Sequence, residues 1–188
     1  YSRAHTGHPP ALVMDGLEEA FHSVLEESGL SRDDIEGIGI GCAGHINRYT
    51  GRVVTSSNLP GWEDYPLRDT AIQHLGFPVV IDNDSNCAAL GEHQFGAGQG
   101  SRHMCYVTFS TGYGLGIIID GKVYRGAIGS AGEIAHAIIV PDGELCFCGK
   151  RGCLMAYASG LALSHFACER VKSGEQTILR DICGDSPE

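Results

Sequence analysis

The stretch PVVIDNDSNCAALGEHQFG, residues 78–96, reads as a strand that stops and a helix that starts. Val79, Val80 and Ile81 form a continuous apolar run, the pattern of a buried parallel strand, and Asp82, Asn83 and Asp84 end it in polar groups. A helix over SNCAALGEHQF follows, and Gly96 stops it. Open α/β sheets bind ligands at the carboxyl ends of their strands, so this junction is a candidate site. A carboxylate there can serve as base for a hydroxyl nucleophile, with an amide beside it to orient the substrate. Asp and Asn are also favoured helix N-caps whatever the function. Both readings stand, and one residue can cap while its neighbour catalyses.

Working upstream, "PLRDTAIQHLG" is a helix with Pro66 in its first turn and Gly76 past its end. "GRVVTSSN" is a short strand, and "IEGIGIGC" from Ile35 is a buried strand running into the glycine turn "GCAG". Between Ala11 and Ser28, Val13, Leu17, Ala20, Phe21, Val24 and Leu25 recur at helical spacing, and Gly29 ends the run. Downstream, "MCYVTFS" and "LGIIIDGKVYRG" are strands around "TGYG", with "DGK" as a hairpin turn. Helical segments at Leu154–Ala158 and Leu161–Val171 come last. The alternation of helix and strand predicts an α/β fold. The change of texture at "GAGQGSRH" predicts a boundary near 96–104, with an N-terminal α/β domain over 1–100 and part of a C-terminal one over 101–188.

Composition narrows the function. The 188 residues carry a net charge of −10, which repels phosphate backbones and anionic lipid. No run approaches the roughly 18 apolar residues of a membrane span, and no signal-like segment opens the chain, so a cytosolic setting is expected. Eight cysteines raise the question of a disulfide scaffold, but a chain with 43% hydrophobic residues can bury a core without staples. Cys42, Cys87, Cys105 and Cys168 sit in apolar or helical settings and read as buried thiols, while Cys183 is uninformative. Glycine, at 27 residues, is about twice its average usage and clusters between the strands.

"EIAHAIIVPDGELCFCGKRGCLMAYASG", residues 133–160, holds the clearest chemistry. His136, Cys146, Cys148 and Cys153 make a donor set of one imidazole and three thiolates, a standard closed set for structural zinc. Gly149 and Gly152 let the backbone fold tightly enough to aim the sulfurs at one point. Cys146 and Cys148 are poorly placed to bridge each other but can share a metal. The alternative is a loop with unrelated thiols. "STGYGLG" has the composition of a phosphate-cradling turn, or of a plain hairpin loop; no Lys-Ser or Lys-Thr follows, so it is not a Walker motif. His45, in "GCAGHIN", reads first as a surface or satisfied core residue, with lining the same cleft as the strand end as the alternative, and Trp62 reads as a buried anchor. The other histidines show no ligand spacing.

Taken in order, "GIGIGCAG", "SSNLPGWEDYPLRD", "IDNDSNCAALGEHQFGAGQG", "STGYGLGIIIDGKVYRGAIGSAGEIAH" and "CFCGKRGCLMAYASG" resemble the ROK family of bacterial sugar kinases and sugar-responsive repressors. The likeness runs from about Ile35 to Gly160. It implies a two-domain, actin-like ATPase fold of ribonuclease-H-like topology, here incomplete, that closes over sugar and ATP. It implies that Asp84 is the base for the sugar 6-hydroxyl, and that Asn83, Glu133 and His136 contact sugar hydroxyls. It also implies that Asn58 sits in a loop bordering the sugar pocket, and that Thr111 and Gly112 are part of a phosphate-binding loop. It implies a structural zinc on His136, Cys146, Cys148 and Cys153, Mg2+ with ATP, a hexose or N-acetylhexosamine substrate, and a homodimer. Nucleic acid enters only if a helix-turn-helix precedes the chain, as in the family's repressors. Met155 stands where the family usually has glutamate, Ala135 where it has glycine and Ala43 where it has proline, and "STGYGLG" is bulkier than the usual loop. The family's opening Asp-Gly-Gly-Thr loop is not present, so the chain is expected to be an internal piece, inactive as a kinase alone.

Overall fold

The computed structural model describes residues 9–56 and 59–183. The chain divides into two compact units, one of residues 1–106 with 116–131, the other of residues 107–115 with 132–188.

The first unit is built around two parallel strands, β1 (Ile38–Cys42) and β4 (Val79–Asn83), in register from Ile38 opposite Val79 to Cys42 opposite Asn83. Strand alternation sends Val79 and Ile81 into the core, and leaves Val80 68% exposed. The continuous apolar run therefore buries one face here, not the two that a fully covered parallel strand would. Helix α1 (Pro10–Ser28) packs on this core along Met14, Leu17 and Phe21, and Phe21 stacks on Phe77 at 5.2 Å. Val24, expected on the buried stripe, is exposed, because the stripe leaves the core after Phe21. Gly29 ends the helix, its N–H donating to the Leu25 carbonyl.

A short hairpin of β2 (His45–Asn47) and β3 (Arg52–Thr55) leads to helix α2 (Leu67–Leu75), with Pro66 just before its first turn. Trp62 is buried as expected, with its ring 5.0 Å from that of Tyr65. Leu67, 1% exposed, sits at the centre of this core. Leu67→Ala is expected to cost about 2–5 kcal/mol of unfolding free energy, as a cavity the neighbours fill only partly. Denaturant titration would read that as a lower midpoint, with metal content unchanged.

Strand β4 passes directly into helix α3 (Asp84–Phe95). A three-stranded sheet then follows in the order β5 (Met104–Phe109), β6 (Tyr113–Ile119), β7 (Lys122–Val123). The β6–β7 turn is Asp120-Gly121, with φ of 51° and 72°, the two left-handed positions that a two-residue hairpin needs.

The second unit holds helices α4 (Leu154–Ala158), α5 (Gly160–Lys172) and α6 (Ile178–Cys183). The last was not expected from the sequence. Ser159 caps α5, its hydroxyl accepting from the Ala162 N–H at 3.1 Å. The buried centre of this unit is small: Ala135, Cys146, Cys153 and Met155, with Tyr113 and Ala156 against them. Of the thiols read as buried, Cys42 is; Cys168 is half-buried, and Cys87 and Cys105 are exposed. Apolar neighbours in sequence do not decide which face of a helix or strand a cysteine takes. Among the described residues no helix is long and apolar enough to cross a membrane.

Candidate functional site

In the second unit, a short 3-10 turn, Ile134–His136, presents the His136 ring toward the loop of residues 146–153. The Ala137 carbonyl accepts from Leu154 N–H at 2.9 Å, and Gly152 O accepts from Ile139 N–H at 2.8 Å. These bonds lay the histidine segment alongside Cys153. Gly152 has φ of 80°, and a Cβ there would stand 1.7 Å from the Val140 carbonyl oxygen, so only glycine fits.

The result is a compact donor set. One ligand atom each from His136, Cys146, Cys148 and Cys153 lies within 4.8 Å of all the others. The Cys146 sulfur is 3.7 Å from His136 Nδ1, and the Cys148 and Cys153 sulfurs are 3.7 Å apart. A tetrahedral zinc with Zn–S near 2.3 Å requires edges of about 3.8 Å between sulfurs, so the spacing fits. Without metal, burial pushes the Cys153 thiol up to about 11, whereas the Lys150 N–H holds Cys148 below the usual thiol value. The cluster can hold a metal, and it agrees with the zinc motif implied by the sequence. Phe147 stacks edge-on to the His136 ring at 5.8 Å.

Glu133 precedes the same turn and is exposed. Thr111 and Gly112 form the tight turn between β5 and β6, where Ser110 N–H donates to Gly112 O at 3.0 Å. The Ser110 carbonyl accepts from Gly160 N–H at 2.8 Å, which ties this turn to the start of α5. Met155 is 6% exposed and lies beneath the turn, its methyl 2.9 Å from where a Cβ on Gly112 would be. It fills the core of this unit.

In the first unit, the end of β4 separates the two readings of its polar residues. Asn83 is the N-cap of α3, with Oδ1 accepting from Ser85 N–H at 2.9 Å and from Asn86 N–H at 3.2 Å. Its Nδ2 donates to the Gly44 carbonyl at 3.1 Å, leaving one amide hydrogen uncommitted. Asp84 is exposed, at the first position of the helix, and only its Oδ1 is engaged among the described residues, mainly by Ser85 N–H at 2.8 Å. Cys42, buried on β1 and near the Asp84 charge, is pushed up to about 12, chiefly by burial. His45 is committed, a ring nitrogen lying 2.7 Å from the Ile128 carbonyl oxygen.

Asn58 lies outside the described residues. Spacing gave no hint of Arg125, which pairs with Asp82 from 43 residues away.

A model of the ROK family matches residues 1–185. The glucokinase of Streptomyces coelicolor is 40% identical over 165 residues, covering 88% of this chain and 51% of that protein. The xylose repressor of Caldicellulosiruptor bescii is 43% identical over 174 residues, 93% of this chain and 43% of that protein. Among solved structures, a ROK family glucokinase from Streptomyces griseus, in complex with glucose and AMPPNP, matches with a TM-score of 0.80 at 40% identity, over 89% of this chain and 52% of that one. The chain spans about half the length of the curated relatives it matches. With the α/β fold, the histidine-cysteine cluster and the family match in agreement, the chain belongs to the ROK family.

Proposed function

We propose that this chain is part of an ATP-dependent sugar kinase that phosphorylates the 6-hydroxyl of a glucose-like hexose. The observation that carries the reading is Asp84. It is an exposed carboxylate at a strand's carboxyl end, its neighbour Asn83 has taken the capping role, and the chain is about 40% identical to glucokinases. In the reaction, Asp84 accepts the proton of the sugar 6-hydroxyl as that oxygen attacks the γ-phosphorus of Mg·ATP in line. The bond from the γ-phosphorus to the bridging oxygen breaks, and ADP leaves with the electron pair. Most of the acceleration comes from positioning and charge neutralisation.

The remaining roles follow the same reading. The free amide hydrogen of Asn83, with Glu133, His136 and Asn58, holds sugar hydroxyls. The turn at Thr111 and Gly112 offers backbone amides to phosphate. His136, Cys146, Cys148 and Cys153 would hold a structural zinc, whose chemistry is to fix the histidine and the turn that carries Glu133. Nδ1 faces the thiols, so a metal held there would leave Nε2 of His136 to donate to a sugar oxygen. Met155 is buried and has no strong acceptor, so it makes none of the hydroxyl contact that glutamate makes at this place in the family. The fold proposed for the whole protein is the two-domain actin-like one, acting in the cytoplasm as a homodimer.

A second reading is a sugar-sensing regulator, favoured by the xylose repressor at 43% identity over 174 residues. ADP release from Mg·ATP by the full-length protein, across a panel of hexoses, pentoses and N-acetylhexosamines, separates the two. Turnover with a hexose supports the kinase. Sugar binding without turnover, in zinc-loaded protein, supports the regulator.

A further inference from the structure

Helix α4 is short, yet both of its ends meet working parts of the second unit. Cys153, one of the four donors, is its N-cap residue. Ser159 closes α4 and opens α5, and the next residue, Gly160, donates its N–H to the Ser110 carbonyl at 2.8 Å. That approach needs glycine, because a Cβ at 160 would stand 2.7 Å from the Ser110 oxygen.

Met155 lies between these ends and touches both parts. Its side chain is buried with Ala135, Cys146 and Cys153. Its far end reaches the turn between β5 and β6, where a Cβ on Gly112 would lie 2.9 Å from Met155 Cε and 3.7 Å from Sδ. Tyr113, the residue after the turn, packs on the same core, and its ring meets that of Phe109 at 5.1 Å. Thr111 is exposed, and neither its N–H nor that of Gly112 makes a hydrogen bond among the described residues. The turn therefore keeps two backbone donors free. It is held by the Gly160 bond at Ser110 and by one thioether beneath Gly112. Backbone amides cradle phosphate well only where they are fixed in place beforehand.

We propose that Met155 is a positioning residue for the nucleotide: from the core it shares with the donor cysteines, it holds the Thr111–Gly112 turn where the free N–H groups meet phosphate. The proposal rests on the reading of that turn as phosphate-binding. Without the thioether, the turn keeps only its anchor at Ser110 and can settle into the space left beneath Gly112. A plain space-filler would change stability and leave phosphate affinity alone.

The test is calorimetric binding of Mg·ATP and, separately, of glucose to the full-length protein carrying one zinc per chain. Met155→Ala should weaken Mg·ATP about tenfold, since a shift of about 1 Å in a positioning group can cost up to roughly 10²-fold. Glucose binding should change little. Met155→Leu, close in volume, should recover most of the loss. Gly112→Ala sets a methyl against Met155 Cε and should also weaken Mg·ATP. The double variant Met155→Ala/Gly112→Ala should bind better than the product of the two single losses, because the added methyl enters the space that the shortened side chain vacates. If Met155→Ala does not fold, Met155→Val, which also lacks the thioether end, decides on the same readout. Unchanged Mg·ATP binding, additive losses in the double variant, or equal losses of Mg·ATP and glucose overturn the proposal. A Thr111→Glu control keeps the two readings apart, because a carboxylate at the turn should abolish Mg·ATP binding. Unimpaired binding in that variant sinks the phosphate role of the turn and this proposal with it. A dead control beside normal binding in Met155→Ala sinks only this inference.

Discussion

Asp84→Asn is expected to lower kcat for sugar phosphorylation by about 10²–10⁴-fold, with the sugar KM changed only a few-fold. Asparagine matches aspartate in shape and keeps an oxygen for the Ser85 N–H, so α3 should start as before. What it cannot do is take a proton. Magnitudes separate this outcome from a structural one. Losing a negative charge in the first turn of a helix costs about 0.3–1 kcal/mol of stability. A fall of 10²–10⁴ in rate corresponds to about 3–5.5 kcal/mol of barrier, which the helix effect cannot supply. The cap itself belongs to Asn83, and the one first-turn backbone bond that Asp84 accepts, from Ser85 N–H, is kept by the asparagine oxygen. Steady-state ADP release at saturating sugar, with thermal melting alongside, reads both quantities. Near-normal kcat would remove Asp84 from the chemistry.

Removing the metal is expected to have the second largest effect. The buried apolar centre around the cluster is little more than Ala135, Cys146, Cys153 and Met155, with Tyr113 and Ala156 packed against them. So small a core supplies little hydrophobic stability, and a structural zinc is worth about 10–16 kcal/mol in isolated zinc peptides. If even about 4 kcal/mol of that survives here, chelation should lower the melting temperature by roughly 10 °C, at about 2–4 °C per kcal/mol. Sugar affinity should fall with it, because His136 and Glu133 share one turn. Cys146→Ser should reproduce both losses. Cys105→Ser, at an exposed position outside the cluster, should reproduce neither. Unchanged melting and sugar binding after proven metal loss would show that the loop holds itself.

Much of this was legible in the sequence, and the reason is locality. The donor set closes within residues 136–153, so spacing and two glycines suffice to suggest it. The β4–α3 junction is written in consecutive residues, an apolar run followed by Asp-Asn-Asp. The Asp120-Gly121 turn is set by which residues tolerate positive φ. What stayed hidden depends on partners far along the chain or on facing. Arg125 looks like any other surface arginine until the fold brings Asp82 to it. Cys87 and Cys105 lie among apolar residues yet face outward, and Val80 does the same on β4. The three bonds that Asn83 makes to the Ser85 and Asn86 N–H groups and the Gly44 carbonyl also depend on the fold, and they leave one amide hydrogen for the proposed sugar contact. Met155 breaks the sugar-binding pattern in the sequence, and packing gives a physical reason for a thioether there: it fills the space under Gly112.

The most direct test of the central claim is phosphorus NMR of the reaction of full-length, zinc-loaded protein with Mg·ATP and glucose. The account predicts one new phosphomonoester resonance, assigned to the sugar 6-position, growing in step with ADP and absent in Asp84→Asn. ATP left intact with every hexose tried, by protein that binds sugar and carries its metal, would contradict it.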